Sequence, residues 1–206
     1  SPVERDLLAR ELPQARVEIL SNVHEVFGCR RPFGERVDLV FVGSFMHPPN
    51  EDAVLWFARD VFPAIRTALP GVRFHVIGQP APAAVLALAA DDLIVHGFVA
   101  DLEPFMDGCR ISVAPLRYGA GVKGKVNMAM SYGLPVVATP SAVEGMHIAE
   151  GADVLVATDA AGFAADVVRL YGDEALWNTL SANGLANVQR HFSFDAAKQA
   201  LARIVR

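Results

Sequence analysis

The run "VDLVFVG" at 37–43 constrains the fold of this chain more than any other stretch. A strand with one wet face alternates apolar and polar residues. This one is apolar almost throughout, as a strand covered on both faces of a parallel sheet must be. Runs of the same kind recur at 72–78, 93–99, 110–115, 135–139 and 153–157. Between and after them lie helix-patterned stretches at 51–68, 82–90, 101–107, 122–132, 160–171, 173–190 and 194–205. Strand–helix alternation of this length predicts an α/β fold, an open parallel sheet with helices on both faces and right-handed crossovers. Ahead of it, residues 1–10 read as a helix with Ser1 and Glu4 at capping-box spacing, "RVEIL" at 16–20 as a leading strand, and 21–36 as irregular. Ligands of such sheets bind outside the carboxyl ends of the strands. That singles out the loops at 43–50, 78–81, 97–101, 115–122 and 139–147.

Composition removes several classes. A net charge of −5 argues against a general nucleic-acid binder, which needs a basic surface. Cys29 and Cys109 stand alone, with no CxxC or Cys/His cluster, so neither a disulfide framework nor a zinc site is indicated. No apolar run reaches the roughly 20 residues of a spanning helix, and the start carries no signal-peptide pattern. Two reduced thiols and these absences fit a cytoplasmic protein. Only three of the 18 basic residues are lysines, Lys123, Lys125 and Lys198, and two of them fall in one glycine-rich loop.

That loop, "RYGAGVKGKV" at 117–126, can be read as a phosphate-binding motif in two ways. As a P-loop it fails at Val126, where a Ser or Thr hydroxyl should hold magnesium. As the dinucleotide fingerprint, Gly119-x-Gly121-x-x-Gly124, it follows a strand and opens a helix. It lacks an acidic residue at the end of the next strand, Ala138-Thr139-Pro140, to meet the ribose. A merely structural turn is a third reading. A fourth is an anion seat of helix amides, two lysines and an arginine, suited to a diphosphate.

The stretch "APLRYGAGVKGKVNMAMSYGLPVVATPSAVEGM" (114–146) strongly resembles the C-terminal, donor-binding domain of group 1 (family-four) glycosyltransferases of GT-B fold. "VFVGSFMHPPNEDAVLWF" (40–57) and "HGFVADLEPFM" (96–106) look like the same domain's first strand–loop–helix and base-binding segment. The resemblance implies a Rossmann-like domain holding a nucleotide sugar, UDP- or GDP-linked, opposite an N-terminal domain that holds the acceptor. It implies transfer with retention, in carbohydrate biosynthesis, with no metal and no cofactor beyond the donor. On it, 1–15 correspond to the last helix of the acceptor domain, 16–36 to the linker and leading strand, and 37–206 to the donor-binding domain. The chain then reads as half of an enzyme, inactive alone, its partner being the other domain. Any peripheral membrane association would run through that domain.

Carried over residue by residue, the resemblance places the diphosphate on Arg117, Gly119, Gly121, Val122, Lys123 and Lys125, and the donor sugar by Tyr118, Ala120 and Gly121. The base falls on Phe98 and Val99. The loop after the first strand supplies Gly43, Ser44, His47 and Asn50, with neutral Ser44 and Asn50 where the family carries an Arg and a Lys. The family's paired glutamates fall on Ala120 and Met128, neither of which accepts a hydrogen bond from a diol. Glu144 is the candidate substitute for the ribose. Two further readings follow from these departures and from the glycines: a catalytically degenerate nucleotide-sugar-binding module, and an NAD(P)-binding oxidoreductase domain. The family's last helix braces the first domain, so the helix at 194–205 is expected to pack on residues 1–10.

Overall fold

Six parallel strands form one sheet in the order β3-β2-β1-β4-β5-β6. The computed structural model describes residues 1–205. The strands are β1 (Val37–Val42), β2 (Phe74–Ile77), β3 (Leu93–Gly97), β4 (Cys109–Ala114), β5 (Val136–Ala138) and β6 (Leu155–Val156). β1 sits at the centre, with Leu39 paired to Phe74 of β2 on one side and Ile111 of β4 on the other. Its Leu39, Val40 and Phe41 are fully buried, as the unbroken apolar run requires. The chain leaves β1 in one direction toward β2 and β3, and returns on the other side at β4. The carboxyl ends of β1 and β4 therefore splay apart at a switch point, where open α/β sheets bind ligands.

Helices cover the sheet: α1 (Pro2–Glu11), α2 (Pro48–Trp56), α3 (Phe62–Ala68), α4 (Ala83–Leu86), α5 (Glu103–Gly108), α6 (Gly124–Ser131), α7 (Pro140–Val143), α8 (Ala160–Gly172), α9 (Glu174–His191) and α10 (Phe194–Ile204). α2 starts at Pro48, three residues before the expected 51, because a proline in the first helical turn gives up no hydrogen bond. A π turn at Phe57–Val61 joins α2 to α3. There Phe57 packs on Phe62, Phe74 and Phe163 with ring centroids 6.2, 4.6 and 5.7 Å away. Each such buried ring contributes on the order of 1.5–3 kcal/mol.

Several sequence expectations need correction. "RVEIL" at 16–20 is extended, and its side chains alternate between half-buried and exposed. It joins no strand, since the sheet ends at β3 and β6 without it. The helix expected at 82–90 stops at Leu86. Ala90 N donates to Leu93 O at 2.9 Å and Leu93 N returns to Ala90 O at 3.2 Å, so a tight turn feeding β3 overrides the alanines' helix propensity. α6 starts at Gly124 rather than 122, because Lys123 is held extended as its N-cap (φ −91, ψ 98). α10 packs along α9, and Arg5 of α1 lines one cavity with Ala196, Ala200 and Arg203 of α10. Its hydrogen bond to the leader comes from Arg16 Nη2, to Arg203 O at 2.8 Å. Phe194 and Leu201 on its apolar face stay 69% and 49% exposed.

The polar residues inside the strands pair with one another. Asp38 Oδ1 accepts from Arg73 N at 2.9 Å, and its Oδ2 from Arg73 Nε at 3.0 Å and His75 Nε2 at 3.3 Å. His75 Nδ1 lies 2.9 Å from His96 Nε2. This chain starts at the amino end of β1, opposite the ligand-facing loops, so these histidines brace the sheet.

Candidate functional site

At the carboxyl end of β1, Gly43 N donates to Ile77 O at 2.9 Å and the chain turns toward α2. Gly43 is required by a close approach: an added Cβ would lie 2.8 Å from Lys125 Nζ and 3.0 Å from Asn50 Cγ. Asn50 is buried in the first turn of α2. Its Nδ2 donates to Ser44 O at 2.6 Å, and its Oδ1 accepts from Lys125 Nζ. Lys125 comes from the other side of the switch point. Because α6 starts at Gly124, Lys125 falls in its first turn and reaches back under the loop. There its ammonium lies 4.2 Å from the centre of the Phe41 ring. Burial, aided by the like charge of Lys123, pushes the Lys125 pKa down to about 7.

The glycine loop is anchored from below. Thr139 Oγ1 donates to Leu116 O, and Ser141 Oγ to Arg117 O at 3.2 Å. Gly119 (φ +130) and Gly121 (φ +77) hold conformations that other residues rarely adopt. The first-turn amides of α6 at Gly124 and Lys125 have no carbonyl partner within the helix and stand at the positive end of its dipole.

A cleft of about 460 Å³ opens at the ends of β1, β2 and β3, lined by Gly43, Ser44, Gly78, Gln79, Phe98 and Val99. Gly78 has no space for a side chain, since a Cβ would fall 1.9 Å from Gly43 O. Phe98 is 67% exposed at its rim.

The structure brings together Gly43, Ser44 and Asn50 with Lys123, Lys125 and the loop glycines, and places Phe98 and Val99 at the adjoining cleft. Other sequence-chosen residues are less free than expected. Arg117 forms a two-pronged ion pair with Asp52 of α2, Nε to Oδ2 at 2.9 Å, so part of its charge is already neutralised. Lys123 Nζ donates to the carbonyls of Gly119 (3.3 Å) and Gly121 (2.6 Å) and fastens the loop. Burial lowers its pKa, against the opposing charges of Glu144 and Glu4. Val122 packs against the core, whereas Tyr118 is 48% exposed. His47 is the residue before α2 and makes no side-chain cap. Glu144 is exposed at the end of α7 and close enough for Lys123 to feel its charge. Ala120 is exposed, and Met128 packs partly against the core.

Sequence reasoning missed three residues. Asp52 neutralises Arg117, Gln79 lines the cleft, and Phe41 floors Lys125. Asp52 sits two residues after Asn50, in α2 and just beyond the loop singled out at 43–50, and nothing local says that it faces Arg117. Asn127, on α6, is fully buried with neither side-chain polar atom bonded to protein, as is Nε2 of His24.

A doubly wound sheet with a glycine-rich loop and two lysines at its switch point, next to an open cleft, defines a Rossmann-like domain. Its family is equally plain: residues 36–173 match the model for glycosyl transferases group 1, and the chain belongs to that family. The fold is that of a GT-B C-terminal domain. A *Staphylococcus aureus* TarM mutant, solved with fondaparinux, alpha-GlcNAc-glycerol and UDP, superposes with a TM-score of 0.81 at 12% identity, over 99% of this chain and 42% of TarM. The C-terminal domain of a *Francisella tularensis* group 1 protein, LpcC, superposes at 0.63 with 15% identity, over 82% of this chain and 96% of that one. In sequence, an uncharacterized 44.6 kDa protein in the cps region of *Klebsiella pneumoniae* is 24% identical over 164 residues, 75% of this chain and 42% of that protein. The chain thus spans about two-fifths of the length of that relative.

Proposed function

We propose that this chain is the donor-binding domain of an enzyme that moves a sugar from a nucleoside diphosphate sugar, UDP- or GDP-linked, to an acceptor. One observation carries the reading: Lys125 Nζ reaches across the switch point to Asn50, beside the free amides of α6. A buried ammonium, a second lysine and unpaired amides at one point suit a diphosphate, which would take Asn50's place as the partner of Lys125. The cleft lined by Phe98 and Val99 lies next to it and suits the base. UDP in the TarM complex fits the same reading, as does UDP-glucose in the complex of HepE from Anabaena. Because the departing diphosphate meets cations and amides supplied by the chain, transfer proceeds without a divalent ion, and with retention as in the group the sequence resembles.

The acceptor is held by a second domain of the same protein, in keeping with the share of its relatives that this chain spans, so the chain alone does not transfer sugar. We assign the protein to the cytoplasmic side of carbohydrate biosynthesis; no helix among the described residues is long and apolar enough to cross a membrane. The dinucleotide reading loses support, because the glycine loop follows β4 whereas that fingerprint belongs to the first strand–helix turn. A binding module without transfer stays as the second reading, on Ala120 and Met128, which offer no acceptor to a diol. Isothermal titration of UDP, GDP, ADP and NAD, in EDTA and then in magnesium, tests the proposal. Metal-independent binding of UDP or GDP, lost in Lys125→Ala, is expected. Binding of NAD alone would overturn it. Transfer assays on the full-length protein separate the enzyme from the module.

A further inference from the structure

α1 brings its N-terminus to the glycine loop. Its cap uses half of one carboxylate: Ser1 Oγ accepts from Glu4 N at 3.5 Å, and the Ser1 backbone nitrogen donates to Glu4 Oε2 at 2.7 Å. The other oxygen, Glu4 Oε1, turns to the loop, where it lies 3.6 Å from the position a Cβ on Gly121 would take. Ser1 leans on Gly145, so closely that a Cβ there would fall 2.8 Å from Ser1 Cβ. α1 therefore touches two ligand-facing loops, each through a glycine at positive φ, Gly121 at +77 and Gly145 at +71. Among the described residues Oε1 accepts no hydrogen bond, and Lys123, the nearby ammonium, donates instead to the carbonyls of Gly119 and Gly121.

The groups at the start of α6 are donors. Amides and ammonium groups grip phosphate oxygens but accept nothing from a hydroxyl. A sugar attached to that phosphate needs acceptors, and a carboxylate is the strongest a protein offers. Resting on the donor-domain reading, we infer that Glu4 Oε1 accepts hydrogen bonds from the sugar hydroxyls of the bound nucleoside diphosphate sugar, which makes α1 part of the donor site. Ala120 leaves the loop without an acidic side chain of its own, and Glu4 fills that role from the far end of the sequence. Gly121 keeps the approach open, since any side chain there would stand between Glu4 and the loop.

The test is titration of the whole chain with UDP against UDP-glucose and UDP-N-acetylglucosamine, and with GDP against GDP-mannose. In Glu4→Ala, the ratio of the sugar nucleotide's Kd to its parent's should rise about tenfold or more, as loss of one charged acceptor implies. The parent nucleotide's own Kd should stay within about twofold. Glu4→Gln preserves the capping box, since glutamine serves at that position too, and should give an intermediate rise with unchanged helix content by circular dichroism. An unchanged ratio would reduce Glu4 to a helix cap and overturn the inference. Tighter binding of the parent nucleotide in both variants would also overturn it, identifying Glu4 as an anion that competes for the phosphate seat. Sugar-nucleotide binding that needs Lys125 but ignores Glu4 defeats this inference alone. Absence of any nucleotide binding defeats the donor-domain reading with it.

Discussion

Lys125 is where the chemistry of single residues is sharpest. Its ammonium is buried against Asn50 and Phe41, so its pKa falls to about 7, and an arriving diphosphate should restore the charge. Above pH 7 the empty site holds a neutral amine and the filled site an ammonium. Nucleoside diphosphate binding should therefore take up a proton between about pH 7 and 9, and affinity should fall as pH rises through that window. Titration in buffers of different ionisation enthalpy reads the uptake directly. Lys125→Met should weaken binding about tenfold or more, whereas Arg117→Ala should cost less, because Asp52 already neutralises that guanidinium. The thiols divide as their surroundings require. Cys109 is buried and pushed up to about 12, chiefly by burial and then by the charge of Asp38, while Cys29 is exposed. A thiol reagent should modify Cys29 alone in the native protein, and both only after denaturation.

At the scale of elements, the site depends on how closely the ends of the strands approach one another. Gly78 of the loop after β2 lies against the carbonyl of Gly43 after β1. Gly78→Ala must separate the two ends and should cost roughly 1–3 kcal/mol in chemical denaturation. Gly43→Ala should act differently: its methyl group meets Lys125 Nζ and Asn50, so nucleotide affinity should fall more than stability does. β1 was legible, because burial on both faces imposes an unbroken apolar run; the helix after it was legible too, but its start at Pro48 was expected three residues later. The strand at 16–20 and the end of α4 were not. A period-two pattern reports alternating exposure but not a pairing partner, and alanines favour a helix whether or not a turn to β3 interrupts it.

For the molecule as a whole, stability and function pull against each other at the switch point. Holding Lys125 in a buried place costs the fold, and the sign follows from linkage. Its folded pKa lies below its unfolded value, so the unfolded chain binds more protons from about pH 7 to 10.5 and stability should rise with pH across that range. Below pH 7 the penalty is complete. Lys125→Met should remove this slope and raise stability near pH 7 by roughly 1 kcal/mol even as binding is lost. Denaturant titrations at pH 6.5, 8 and 9.5 on both proteins check this. A flat wild-type profile would mean that Lys125 keeps its proton in the empty site.

The sequence by itself determined the class of fold, the loops at the strand ends and the glycine-rich loop, since apolar periodicity, prolines and positive-φ glycines act within a few residues. It did not determine which charges are free. Lys125 and Asn50 are 75 positions apart, and Arg117 and Asp52 are 65. Glu4 reaches Gly121, in the middle of the chain, from near its start. Whether a charged group meets a ligand or is answered by a neighbour depends on distances of a few ångströms between elements brought together only when the sheet closes. Coulomb and desolvation terms change most steeply over those distances.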